Sequence, residues 1–120
     1  MANEITLTAR LDVANGFYAP GSITVNSLQR DQTAVGAAEG VQNIGTSEEE
    51  LGAGGLSTKG WLYIRNLDST NYVQLGFATG AYGCRLEASE FALFRTEPSA
   101  TIYLKANTAA VNVQYRWLED

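Results

Sequence analysis

The stretch Gly60-Trp61-Leu62-Tyr63-Ile64-Arg65-Asn66-Leu67-Asp68-Ser69-Thr70-Asn71-Tyr72-Val73-Gln74-Leu75-Gly76 decides the fold class. Successive side chains of an extended strand point to opposite faces, so Trp61, Tyr63 and Arg65 share one face while Leu62 and Ile64 share the other. Asp68-Ser69-Thr70-Asn71 follows, a turn cluster in which Asp and Asn hydrogen-bond their own backbone and tolerate left-handed geometry. Tyr72, Val73, Gln74 and Leu75 then resume the alternation. Two alternating runs around a short polar turn predict a β-hairpin.

The same period of two extends in both directions. Upstream, Ile5, Leu7, Ala9, Leu11 and Val13 alternate with Glu4, Thr6, Thr8, Arg10 and Asp12, the pattern of a half-buried strand. Asn15-Gly16 is a strong hairpin signal, but Pro20-Gly21 comes soon after it, so residues 17–20 read as a loop. A second strand is expected from Ser22 to Gln29. Leu28 is out of phase with Ile23 and Val25, which predicts a bulge or a strand end near Asn26. Residues 30–40 read as a loop or irregular strand, and Val41-Gln42-Asn43-Ile44 as extended. Thr46-Ser47-Glu48-Glu49-Glu50-Leu51 matches a capping box and predicts one or two helical turns, broken by Gly52-Ala53-Gly54-Gly55. Downstream of a loop at 77–83, short strands are expected at 84–87, 91–95, 101–106 and 111–118. In the last of these Val111, Val113, Tyr115 and Trp117 share a face. Seven to nine short strands with Gly, Pro and Asn turns predict an all-β fold, an antiparallel β-sandwich with jelly-roll wiring. Residues 1–120 are expected to make a single domain, with 1–14 an exchangeable N-terminal strand.

Composition narrows the function classes. Apolar residues are 45% and charged ones 18%, the balance of a globular chain rather than a disordered one. No apolar run approaches the ~20 residues of a membrane helix, so no membrane partner is expected. Met1-Ala2-Asn3-Glu4 lacks the basic and apolar regions of a secretory signal, which predicts synthesis in the cytoplasm of the producing cell. The net charge of −5 and only two Lys and six Arg argue against nucleic acid, whose phosphates need clustered cations. There is no histidine, which removes the commonest general base and metal ligand together.

The remaining chemistry-bearing residues read as scaffold. Cys84 is the one cysteine, with no histidine to activate it as a nucleophile, and is expected to pack as a small apolar side chain. Glu87, Glu90 and Glu97 are considered as an acid–base pair for glycoside hydrolysis but sit at strand ends, as solvated turn charges do. Asn66, Asp68 and Asn71 offer oxygen ligands, yet only one is acidic, so turn chemistry is expected rather than calcium. The Glu48-Glu49-Glu50 run reads as a solvated turn. Trp61, Tyr63, Tyr72 and Tyr103 are weighed as a sugar-stacking platform against burial in a core or interface. No catalytic residue, cofactor or metal is expected.

Several segments carry a family resemblance: residues 41–51, residues 60–73, Arg85-Leu86-Glu87-Ala88-Ser89-Glu90-Phe91-Ala92-Leu93-Phe94-Arg95, and Lys105-Ala106-Asn107-Thr108-Ala109-Ala110-Val111-Asn112-Val113-Gln114-Tyr115. Together they resemble a family of small virion proteins of tailed bacteriophages. The likeness covers about the C-terminal two thirds and departs at Ser89, where that family leads one to expect Gly. It implies a non-enzymatic structural protein on the capsid exterior, a decoration (cement) protein that stabilises the head shell by binding the major capsid protein. The alternative is a tail or baseplate component with a host-surface carbohydrate-binding role. A small hydrolase is disfavoured by the missing histidine. The candidate interface residues are Ile5, Leu7 and Leu11 on the N-terminal strand, Glu48, Glu49 and Glu50 in the acidic loop, and Asn66, Asp68 and Asn71 in the turn. The edge strands of a sandwich are costly to leave unpaired, so self-association is expected, as a trimer.

Overall fold

The computed structural model of the chain describes residues 2–14, 16 and 20–120. The turn signal at Asn15 and most of the loop read at 17–20 lie outside the described residues. The chain divides into two compact units, Met1–Thr33 and Ala34–Asp120. All the sheets are antiparallel.

The first unit is a two-stranded sheet of β1 (Ile5–Val13) and β2 (Gly21–Arg30). Leu7 faces Leu28 and Ala9 faces Val25, so one residue of β1 lies opposite two of β2. The expected bulge is therefore at Asn26 and Ser27. Ser27 takes a φ of 55°, and its N–H donates to the Thr8 hydroxyl. The extra residue puts Leu28 back in phase, on the same face as Leu7. The N-terminal strand thus pairs within its own chain.

The second unit is a β-sandwich of eight strands. They are β3 (Ala37–Ile44), β4 (Glu49–Glu50), β5 (Lys59–Asn66), β6 (Val73–Gly76), β7 (Cys84–Leu86), β8 (Phe91–Arg95), β9 (Tyr103–Ala106) and β10 (Val111–Glu119). One sheet runs β3-β10-β5-β8 and the other β4-β9-β6-β7. Numbered one to eight within the unit, these orders are 1-8-3-6 and 2-7-4-5, the two interlocked Greek keys of a jelly roll. The inner faces supply one core: Ile44, Leu62, Ile64, Val111, Val113 and Trp117 from the first sheet meet Leu51, Val73, Leu75, Leu86, Leu104 and Ala106 from the second. Each such side chain contributes about 1.5–3 kcal/mol by leaving water. Cys84 is half-buried and packs against this core. The buried Trp117 indole N–H donates to the Thr96 hydroxyl at 3.1 Å, which donates in turn to the Gly60 carbonyl at 3.0 Å.

Two expectations are corrected. The stretch 60–76 is not a hairpin, because β5 and β6 belong to different sheets. Its alternation is real, with Leu62 and Ile64 buried and Trp61 and Tyr63 half-exposed. A strand has only two edges, however, and those of β5 are taken by β10 and β8. The turn therefore arches from one sheet to the other. Residues 46–51 form no helix: 46 and 47 bend, and Glu49 and Glu50 pair with Leu104 and Tyr103 of β9. The local capping pattern loses to main-chain pairing with a strand that completes the second sheet.

Candidate functional site

The arch between the sheets is built on Asn66, which is wholly buried. Its amide nitrogen donates to the carbonyls of Asn71 (2.8 Å), Leu86 (3.1 Å) and Glu87 (3.2 Å), and its oxygen accepts from the Asp68 N–H (2.9 Å). The Asp68 carboxylate accepts from the N–H groups of Asn71 (2.6 Å) and Thr70 (2.9 Å), and these bonds hold it below the usual Asp range. The Asn71 side chain accepts from the Thr108 hydroxyl. Asn66, Asp68 and Asn71 thus come together, and their polar atoms bind one another's backbone. Among the described residues, no group of three or more His, Cys, Asp or Glu side chains is placed to hold a metal ion.

The acidic loop separates into three environments. Glu48 accepts from the Tyr82 hydroxyl and from the Gly80 N–H at 2.7 Å. These bonds, the tyrosine's first, draw its carboxyl below the ordinary Glu range, and the same contact pushes the Tyr82 hydroxyl up to about 12. Glu49 turns back to accept from the Gly45 N–H at 2.6 Å. Glu50 is exposed. Of the three carboxylates weighed for hydrolysis, Glu90 accepts from the Glu87 N–H inside the turn they share.

Ile5, Leu7 and Leu11 lie on one face of the β1–β2 sheet, Ile5 buried, Leu7 half-buried and Leu11 exposed. Of the four aromatics weighed as a platform, Trp61 and Tyr63 lie on the outer face of one sandwich sheet. Tyr103 belongs to the other sheet, and Tyr72 just precedes β6 of it with the Arg85 guanidinium 4.1 Å over its ring. The four do not form one platform.

A different platform does form. The cross-strand register of β3-β10-β5-β8 places Glu39, Arg116, Tyr63 and Leu93 in one row across the outer face, with Val41, Gln114, Arg65 and Phe91 in the next. Trp61 and Arg95 are opposite each other on the same face. Phe91 is 60% exposed and stacks on Tyr63 with ring centroids 6.1 Å apart. The Arg95 guanidinium stands 5.3 Å over the Trp61 ring and pairs with Asp120. Arg116 pairs with Glu39 at 2.5 Å, and Arg65 donates to the Ser89 carbonyl at 3.0 Å. A groove of about 640 Å³ runs between Glu39, Val41, Tyr63, Gln114 and Arg116. The Trp61 indole N–H is buried with no acceptor among the described residues. Three of the chain's six arginines and the aromatics Trp61, Tyr63 and Phe91 are thus side by side on one sheet.

The alternation of Trp61, Tyr63 and Arg65 marked one strand of this face. Phe91, Leu93, Arg95 and Arg116 were missed, since only the pairing of β5 with β8 and β10 brings them alongside. The signal present in the sequence is that Phe91, Leu93 and Arg95 also alternate. No protein-family model, no curated protein and no solved structure matches the chain.

Proposed function

We propose that the protein is a non-enzymatic structural component of a tailed-bacteriophage virion, a decoration protein that binds the major capsid protein and stiffens the head shell. The observation that carries this reading is the outer face of the β3-β10-β5-β8 sheet. Trp, Tyr and Arg are the residues that dominate the energetics of protein interfaces, and here they are clustered and rigidly held on strands. On a chain of net charge −5 this face carries Arg65, with Arg95 and Arg116 already paired to Asp120 and Glu39, a mixed and locally less acidic surface on which arginine planes can also stack. The family resemblance supplies the identity of the partner. Moderate affinity per copy suffices, because a subunit that bridges two capsomers meets the second at high effective concentration.

The test mixes purified protein with undecorated capsids, pellets them and heats them. Co-pelleting and a raised capsid melting temperature are expected, and Phe91→Ala together with Arg116→Glu is expected to abolish both while the protein stays folded. No co-pelleting, or an unchanged capsid melting temperature at saturation, would refute the proposal.

One observation favours the alternative of a tail or baseplate component that binds host carbohydrate. The exposed Phe91–Tyr63 stack borders a groove with Glu39, Gln114 and Arg116 on its walls, an arrangement of apolar rings and polar groups that suits a sugar. Copy number separates the two: a decoration protein is present in hundreds of copies per particle, a tail part in few.

A further inference from the structure

The two-stranded sheet of the first unit has one face made of apolar side chains. Its register places Ile5, Leu7, Ala9, Leu11 and Val13 of β1 beside Leu28, Val25 and Ile23 of β2. Arg30 is the only charged residue of that face, at its end opposite Ile5. The other face is polar, with Arg10 donating to Asp12 at 2.8 Å and to Ser22 at 3.1 Å. Leu11 is 64% exposed, Ile23 72% and Val25 47%. Such a hairpin is at best marginally stable alone in water, because two strands bury too little. The bulge at Asn26 and Ser27 makes the point sharper, since its effect is to keep Leu28 on the apolar face.

We infer that this face is the self-association surface of the protein and that three copies close around it, each hairpin supplying two strands of a six-stranded ring with the apolar side chains inward. Identical faces meet here without opposed charges over most of their length. Apolar character throughout is the mark of permanent assemblies between like chains rather than of transient contacts. The unpaired strand edges, more than area, decide the number of copies. The paired span from Ile5 to Val13, at about 3.3 Å per residue and about 4.8 Å between strands, makes a face of roughly 250–300 Å². Two such faces bury roughly 600 Å² in all, about half of what specific interfaces start from. They would also leave the outer edges of β1 and β2 unpaired, since neither has another strand partner among the described residues. Three hairpins about a three-fold axis bury half as much area again. They also set β1 of each copy beside β2 of the next, antiparallel throughout, so that no edge remains.

The inference goes beyond the capsid reading, and its test contains no capsid, so one can fail without the other. Sedimentation equilibrium of the full chain at micromolar concentration is expected to give a trimer. Ile23→Glu is expected to raise the concentration at half-assembly by more than about tenfold. Thr24→Glu, on the polar face, is expected to leave it unchanged. Trp61 and Trp117 both lie in the second unit, so their fluorescence melt reports whether each variant keeps its sandwich; Leu11→Gln serves as a milder variant should Ile23→Glu lose it. A wild-type monomer or dimer would overturn the inference, as would an Ile23→Glu or Leu11→Gln protein that assembles like the wild type.

Discussion

Replacing Asn66 by alanine tests the arch that joins the two sheets. The substitution removes an amide that donates to three carbonyls and accepts from one N–H, all belonging to the turn or to its neighbour across the sheet. The Leu86 carbonyl bond is fully buried and the other three partly so. An orphaned buried group costs about 1–3 kcal/mol, so the buried bond counts in full and the others are discounted for access to water. The sum is about 3–5 kcal/mol, a large part of the roughly 5–15 kcal/mol that holds a domain together. For a unit of this size the loss lowers Tm by at least about 12 °C. Urea unfolding followed by the fluorescence of Trp61 and Trp117 measures it directly. Asn66→Asp adds a sign test, because a carboxylate oxygen faces the same carbonyls and binds them only when protonated. Its folded pKa must therefore lie above the unfolded one, so the variant approaches wild-type stability at low pH and falls away from it as pH rises. A cost for Asn66→Ala below about 1 kcal/mol, with the denaturant slope unchanged, would refute the account of the arch.

Thr96→Val leaves the buried Trp117 N–H without an acceptor and is expected to cost about 1–3 kcal/mol by urea titration. Tyr82→Phe should flatten stability against pH at both ends. In the wild type the lowered Glu48 pKa gives stability that is present above the ordinary Glu value and lost as pH falls through the lowered one, and the Tyr82 pKa of about 12 gives stability lost as pH rises past 10 towards it. Denaturation midpoints across the acidic and alkaline limbs check this. Ser89 sits at a φ of 68°, the left-handed region that favours glycine, so Ser89→Gly is expected to stabilise the protein by about 1 kcal/mol in the same titration. A Cβ at Gly76 would stand 1.9 Å from the Ala81 carbonyl oxygen, so Gly76→Ala forces the backbone apart and should lower Tm by several degrees or leave the protein insoluble.

What the sequence determined by itself rests on a residue and its near neighbours along the chain. Alternation told which side of each strand is apolar, and Leu62, Ile64, Val111, Val113 and Trp117 are indeed buried. A single residue out of phase, Leu28, marked the place of a bulge or a strand end, and the register of β1 against β2 makes it a bulge. The polar cluster after Asn66 identified a turn, since Asp and Asn carry their hydrogen-bonding partner with them. Tertiary structure alone decided which strands meet. The main-chain groups of β5 can pair with any strand, and whether they take β6 or β8 and β10 depends on how all the apolar faces close over one core. That is why the expected hairpin became an arch between sheets, and why Glu49 and Glu50 joined β9 instead of a helical turn. The aromatic and arginine face was hidden for the same reason. Tyr63 and Phe91 are 28 residues apart in the chain, and only the register of β5 against β8 stacks one on the other.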